Sequence, residues 1–326
     1  MRYLVTGGAG FVGSHLCTAL LERGHEVTCL DNFLTGSRGN LPAHDRLTII
    51  EGDANNRNVL EPIFRAFRPE GIFHYAAIVG VKRTIEHPDL VVHDIEGIRH
   101  IFDLALRYGK PKIIFASSSE VYGEPVEIPE AEDGHINAKL PYAVVKLMGE
   151  KFMEAYWQKF ELPGCALRFF NVYGPRQESS DYGFVVGIFA KRALQGQPPI
   201  VFGDGTQTRD FVYIDDNVEM AVRAMESYAT NGHVLNVGTG KPTTIIDLAE
   251  LVIDAAGMTG TITPEFAPGR EDVRHRFPDV SKMRRTLGFR PQVTLAEGIR
   301  RTLAWYRTSS TAIPRVELVE AVPFRV

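Results

Sequence analysis

Residues 2–31 constrain this chain more than any other stretch. Arg2-Tyr3-Leu4-Val5-Thr6 is a short apolar run that meets Gly7-Gly8-Ala9-Gly10-Phe11-Val12-Gly13. An amphipathic pattern follows from Ser14 to about Arg23, and a second apolar run, Glu26 to Leu30, ends at Asp31. The order is strand, glycine turn, helix, strand, acid. Gly7 permits the tight turn, Gly10 lets the backbone approach a pyrophosphate, and Gly13 lets the helix pack close on the strand. The pyrophosphate belongs at the helix N-terminus, opened by Phe11 and Val12, where unpaired N–H groups and the dipole favour an anion. Asp31 and the following Asn32 fall where a carboxylate accepts from adenosine ribose hydroxyls. The acid repels a 2′-phosphate, so the expected cofactor is NAD and not NADP. Outside this context a glycine triplet is only a packing turn.

With 326 residues, the chain has room for one elaborated α/β domain or for two domains. A net charge of −4 gives no electrostatic case for nucleic acid or a membrane surface. Cys17, Cys29 and Cys165 sit in apolar contexts and read as reduced core residues, consistent with a cytoplasmic protein. The first strand starts at Arg2, which leaves no room for a signal peptide, and no apolar run reaches the length of a membrane span. The histidines lack ligand spacing, so no metal site is expected.

Strands alternate with helices along the first half. Leu47 to Glu51 is a third strand, followed by Gly52-Asp53-Ala54. Asp53, with Ala54 beside it, is placed to accept from the adenine amino group, or else to cap a helix from about Asn56 to Phe67. A fourth strand, Gly71 to Ala77, closes in Ala76-Ala77, small residues that let backbone lie against a cofactor. A helix runs from Pro88 to about Tyr108, and a fifth strand, Lys112 to Ser117, ends in Ser117-Ser118-Ser119-Glu120. This alternation predicts a parallel sheet covered on both faces, with ligands beyond the carboxyl ends of the strands. The glycine turn, Asp31, Asp53, Ala76, Ala77 and Ser117 all fall at such ends.

Tyr142 and Lys146 share one face of a helix running to about Phe160. A phenol with a pKa of about 10 is a poor base at neutral pH. A nearby ammonium and a cationic nicotinamide ring stabilise the phenolate. Tyr142 can then exchange the proton of a substrate hydroxyl, Lys146 can also hold the nicotinamide ribose, and a strand-end serine can share the substrate oxygen. Alone, the pair would be a solvated helix face.

Leu167 to Val172 reads as a sixth strand, after which proline and glycine become denser and strands shorter. Gly203 to Tyr213 reads as a turn feeding a strand, and Val234 to Val237 as another strand. A helix follows from about Thr244 to Ala256, and a last one from Leu295 to about Arg307. The arginines of Arg270-Glu271-Asp272-Val273-Arg274-His275-Arg276 can clamp phosphates, or form a solvated loop. The tail from Thr308 has no periodicity.

Together these residues resemble the extended short-chain dehydrogenase/reductase family, in its nucleotide-sugar epimerase, dehydratase and decarboxylase branch. The resemblance runs from Arg2 to about Tyr306. It rests on the glycine turn with Asp31-Asn32, on Ser117-Ser118-Ser119-Glu120-Val121-Tyr122-Gly123, and on Tyr142 with Lys146. It rests also on Arg168-Phe169-Phe170-Asn171-Val172-Tyr173-Gly174-Pro175-Arg176 and on Gly203-Asp204-Gly205-Thr206-Gln207-Thr208-Arg209-Asp210-Phe211. It implies a Rossmann-type doubly wound parallel sheet over residues 1–166. A smaller C-terminal α/β domain over 167–326 would bind the nucleotide-sugar, with some segments returning to the first. Tyr142 would take the proton of the sugar C4 hydroxyl, Ser118 would share that hydroxyl, and a tightly held NAD would take the hydride. Ser119 and Asn171 would contact the nucleotide-sugar, Arg209 and Arg270 its diphosphate end. A homodimer is implied, pairing the helices near Pro88–Tyr108 and Tyr142–Phe160.

The product is less constrained. Gln207-Thr208-Arg209-Asp210-Phe211 and Pro141-Tyr142-Ala143 are similar to UDP-sugar 4-epimerases, the first expectation. Ser118-Ser119-Glu120 and Arg274-His275-Arg276-Phe277-Pro278-Asp279 are closer to UDP-glucuronate decarboxylases, where a glutamate and an arginine surround the C5 carboxylate. A 4,6-dehydratase needs an acid where Ser119 stands. Lys82, Thr84 and Asp94 replace residues common in epimerases. A non-catalytic NAD sensor is the remaining alternative, against which Ser118, Tyr142 and Lys146 argue.

Overall fold

The computed structural model describes residues 1–180, 183–269 and 273–309. The first half runs β1 (Arg2–Thr6), α1 (Phe11–Glu22), β2 (Glu26–Asp31), β3 (Leu47–Glu51), α2 (Arg57–Phe67), β4 (Gly71–His74), α3 (Val81–Glu86), α4 (Pro88–Arg107), β5 (Lys112–Ser118), α5 (Pro141–Phe160) and β6 (Gly164–Phe169). The second runs β7 (Asn171–Tyr173), α6 (Val185–Leu194), β8 (Ile200–Phe202), β9 (Thr208–Tyr213), α7 (Ile214–Glu226), β10 (His233–Val237), β11 (Pro242–Thr244), α8 (Ile245–Ala256), β12 (Glu265–Ala267), β13 (His275–Arg276), α9 (Ser281–Leu287) and α10 (Leu295–Ser309).

Seven strands, all parallel, form one sheet in the order β10-β6-β5-β4-β1-β2-β3. The central strands are buried on both faces, which is why they read as continuous apolar runs. One face packs on α1 and α7 through Leu16, Leu20, Val218 and Ala221. The other packs on α2, α4 and α5 through Phe64, Ile98, Ile101 and Val145. In α4 the buried residues Val91, Asp94, Ile98, Ile101 and Ala105 recur at helical spacing, the stripe that fixes which side faces the sheet. Each fully buried large apolar side chain contributes about 1.5–3 kcal/mol. The strand order reverses between β1 and β4, so a crevice opens there at the carboxyl ends. Beyond it a smaller region holds a sheet of β11-β9-β13 with β7 against β9, and a separate β12-β8 pair. The fold class is therefore the expected α/β doubly wound sheet with a smaller C-terminal α/β region. Among the described residues no helix is long and apolar enough to cross a membrane.

Several boundaries differ from expectation. Helix α1 begins at Phe11, not Ser14, because Gly10 is its extended N-cap and Ser14 already sits in the first turn. The expected sixth strand divides. β6 starts at Gly164 and stays in the large sheet, whereas Asn171–Tyr173 pairs with β9 in the smaller region. Phe170 is the joint, its N–H bound to the Val237 carbonyl. β4 ends at His74; the Tyr75 N–H is shared between the Thr6 carbonyl at 3.1 Å and its hydroxyl at 3.2 Å, and the Ala76 N–H goes to that hydroxyl at 3.2 Å.

Candidate active site

The glycine turn forms the floor of the crevice. Gly7 has φ +68°, and a Cβ there would lie 2.7 Å from the Ala76 nitrogen. A Cβ on Gly13 would fall 2.1 Å from the Gly7 carbonyl, so helix α1 can lie against the turn only with glycine there. The first amides of α1, including Phe11 and Val12, have no carbonyl upstream within the helix and are the natural anion donors. Asp31 is 7% exposed and accepts from the Ala9 N–H at 2.9 Å and the Phe33 N–H at 2.8 Å. Those bonds tie the acid to the turn and leave lone pairs for ribose hydroxyls. Asn32 accepts from the Leu34 N–H at 3.0 Å. This cradle, with a carboxylate where a 2′-phosphate would stand, fits NAD. Ala76 and Ala77 line the neighbouring strand end. Asp53 does not cap the helix, because Asn56 is the N-cap of α2 and Asp53 binds the Asn55 N–H at 2.8 Å. Ala54 is buried beside it.

Across the crevice, β5 delivers the serine run. The Ser117 hydroxyl donates to Glu150 at 2.5 Å, and Glu150 binds Arg168 through two contacts of 2.9 and 2.7 Å. Ser117 thus belongs to a buried ion-pair network. Ser118 caps a short 3₁₀ turn over Ser119–Tyr122, its oxygen accepting from the Glu120 N–H at 3.2 Å. That oxygen lies 2.7 Å from the Tyr142 hydroxyl. Ser119 is buried. Pro141 opens α5, which puts Tyr142 and Lys146 on its first turns facing the end of β5.

Both titratable groups are strongly perturbed. Burial is the largest effect on Tyr142 and raises its pKa above the usual phenol value; the Glu120 charge adds to this, while Ser118 and Arg276 oppose it. The expected lowering by Lys146 is not a cause of the shift in this structure. Burial pulls Lys146 down to about 8, opposed by Asp94. The Lys146 ammonium sits 5.1 Å from the Phe115 ring centre. Asp94, buried on α4, accepts from the Ile78 N–H at 2.9 Å.

Arg276 and Glu120 meet. Arg276 on β13 is 2% exposed; its Nη1 donates to Glu120 Oε1 and its Nη2 to the Gly123 carbonyl at 2.5 Å. Asn171 donates to the Asp210 carbonyl at 3.1 Å, and Arg209 is nearly buried with a bond to the Thr208 carbonyl at 2.8 Å. Arg270 lies outside the described residues. Asp210 is fully buried and binds Thr239 N–H, Thr239 Oγ1 and Lys241 N–H, so it holds the loop after β10. Sequence reasoning missed Glu130, a buried carboxylate 3.8 Å from Arg276 Nε. It lies in an irregular segment with no periodicity to reveal it.

A doubly wound sheet with an anion cradle, a strand-two acid and a Ser118–Tyr142–Lys146 set defines a dinucleotide-dependent enzyme of the short-chain dehydrogenase/reductase kind. The chain belongs to the NAD-dependent epimerase/dehydratase family, whose model matches residues 3–238. It is 38% identical over 317 residues to a UDP-glucose 4-epimerase of Mycolicibacterium smegmatis, covering 95% of this chain and 100% of that one. It is 35% identical over 321 residues to a UDP-N-acetyl-α-D-glucosaminuronate decarboxylase of Bacillus cytotoxicus, covering 94% and 98%. Among solved structures, a UDP-glucose 4-epimerase of Thermotoga maritima with UDP-glucose superposes with a TM-score of 0.90 at 35% identity, covering 95% of this chain and 100% of that one. The family is one of NAD-dependent epimerases, dehydratases and decarboxylases, and NAD is the cofactor.

Proposed function

We propose that this chain oxidises C4 of a UDP-sugar that carries a carboxylate at C5, and that the carboxylate leaves as carbon dioxide. The Arg276–Glu120 ion pair beside the Ser118–Tyr142 pair carries this reading. NAD, when bound, supplies an acceptor for the C4 hydride and a positive ring charge. Tyr142 takes the C4 hydroxyl proton, and Ser118 holds the same oxygen. A ketone at C4 is an electron sink for the C5–carboxylate bond, and Tyr142 and Ser118 can donate to the enolate oxygen that forms as carbon dioxide departs. Proton delivery at C5 and reduction at C4 complete the turnover. A buried guanidinium with a partly exposed anion in front of it suits an anionic sugar. The side chain of Glu120 is 27% exposed and covers Arg276, so a substrate carboxylate replaces one anion by another and leaves no buried charge unpaired. Against a neutral sugar, Glu120 only opposes ionisation of Tyr142.

The second reading is a UDP-sugar 4-epimerase, in which the 4-keto sugar turns and is reduced on its other face. Its support is that Arg276 is already satisfied by Glu120 and the Gly123 carbonyl, so a neutral sugar can bind without disturbing either. The epimerase-like Asp210 weighs less, because its carboxylate is spent on the loop after β10. Incubation with UDP-glucuronate, UDP-N-acetylglucosamine and UDP-glucose in separate tubes, followed by proton NMR, distinguishes them. UDP-glucuronate consumed with carbon dioxide release supports decarboxylation; two interconverting C4 epimers without gas reject it. The reading includes a cytosolic homodimer. Val92 on α4 and Val144 and Phe152 on α5 are half exposed, an apolar face that a two-fold pairing of these helices would cover. Light scattering at the mass of one chain would reject the dimer.

A further inference from the structure

We propose that Glu130 is a positioning residue, a buried second counter-ion that takes up the Nε edge of Arg276 when the substrate displaces Glu120 from its Nη1. This rests on the reading of Glu120 and Arg276 as a sugar-facing pair. The backbone at Glu130 is fastened to the strand segment that carries Arg276. Its N–H binds the Phe277 carbonyl at 3.0 Å, and its carbonyl accepts from Asp279 N–H and from Asn236 Nδ2, both at 2.8 Å. The carboxylate therefore has a fixed station behind the guanidinium. Its side chain is 2% exposed, and neither oxygen has a hydrogen-bond partner among the described residues. Arg276 Nε is buried and equally unbonded, 3.8 Å from Glu130 Oε1. That gap is about 1 Å longer than a charge-assisted hydrogen bond.

The guanidinium thus has two edges in different states. Its Nη1 and Nη2 are committed to Glu120 and the Gly123 carbonyl, while its Nε faces two idle acceptors. A buried acceptor with no donor is unfavourable, and a second arrangement that supplies a donor accounts for it. Movement of Arg276 by about 1 Å toward Glu130 closes the Nε–H···O bond. The charged groups that act on Glu130 are Arg276, Glu120, Arg209 and Arg168, and Arg168 is already neutralised by Glu150. Burial pushes the Glu130 carboxyl up to about 7. It can therefore hold a proton while Arg276 belongs to Glu120 and release that proton to solvent when Arg276 arrives.

The test is a carbon-13 NMR titration of protein labelled at the glutamate carboxyls, without substrate. Wild type should show one carboxyl titrating near neutrality that is missing from Glu130→Gln. In Glu120→Gln the same resonance should titrate at least one pH unit lower, because Arg276 is released to Glu130. An unchanged titration in Glu120→Gln overturns the proposal. Where Glu130→Gln does not fold, Glu130→Asp makes the assignment, since it also removes one glutamate resonance. Kinetically, with whichever UDP-sugar is turned over, Glu130→Gln should lower kcat at least tenfold, change KM less, and remove an inflection near pH 7. An unaltered kcat and pH profile overturns the proposal. Failure of decarboxylation alone would show in the product assay and leave the titration result standing.

Discussion

The Ser118 and Tyr142 hydroxyls lie 2.7 Å apart, joined by a hydrogen bond between the end of β5 and the first turn of α5. One sugar oxygen can sit against both. Because burial holds the phenol neutral, ionisation of Tyr142 has to be driven by charge arriving with the cofactor. Tyr142→Phe should lower kcat by about 10²–10⁴-fold, the scale of general acid–base catalysis, with an unchanged melting temperature. Turnover within a few-fold of wild type would remove Tyr142 from this role.

Asp31 holds the glycine turn through Ala9, and we propose that it also accepts from the adenosine ribose. Asp31→Ala should therefore weaken NAD binding by tenfold or more, since charge-assisted bonds are worth about 1.5–3 kcal/mol each. It should also reduce the preference over NADP. Calorimetric titration with both dinucleotides checks this, and equal wild-type affinities would defeat the assignment.

How far these roles could be read without coordinates varied with sequence distance. The turn, the acid and the Tyr142–Lys146 spacing are local patterns whose geometry one helix or one turn dictates. The strand boundary at Phe170 was not legible, because the choice between sheets is made by Val237 and β9, far along the chain. Glu130 was hidden for the same reason: its meaning comes from Arg276, on a strand that approaches only once β13 has joined β9. Asp210 was legible as a motif but not as a loop anchor.

Asp94 stands near Lys146 and favours its charged form. Lys146 loses its proton as pH rises through about 8, and with it the charge placed to hold the nicotinamide ribose. Asp94→Asn should move this alkaline limb of the rate profile toward neutrality. Burial also raises the Asp94 pKa, so its ionised form costs stability once pH rises above the unfolded carboxylate value. Asp94→Asn should therefore melt higher than wild type at pH 7 and show little gain at pH 4. An unmoved limb together with an unmoved melting point would separate Asp94 from Lys146.

Asp210 is fully buried and accepts from three donors in the loop after β10. Asp210→Ala removes these bonds to a half-buried Thr239 and an exposed Lys241, at about 0.5–1.5 kcal/mol net each, and leaves a small cavity at the buried carboxylate. Thermal unfolding should show a lowered melting temperature. Whatever activity survives should keep the wild-type product, because the carboxylate does not reach the sugar. A variant that folds normally but changes product would reverse this assignment.

Arg276 separates the two readings of the chemistry. With an anionic sugar, the substrate carboxylate displaces Glu120 and takes the guanidinium, a strong charge-assisted contact. Arg276→Ala should then abolish carbon dioxide release from UDP-glucuronate. Arg276→Lys should recover little, since an ammonium cannot give a carboxylate a bidentate contact while holding the Gly123 carbonyl from the same position. Glu120→Gln should lose less than Arg276→Ala, because it removes only the anion that the substrate has to displace. With a neutral sugar, the order changes. Nothing then needs Arg276 directly, and its loss acts by freeing Glu120, so KM rises while kcat follows only modestly. Both variants leave Glu130 in place, so the melting curve must be measured beside the kinetics to show that the buried carboxyl left without its arginine has not unfolded the site. A folded Arg276→Ala enzyme that still releases carbon dioxide at the wild-type rate would end the decarboxylase reading of this arginine.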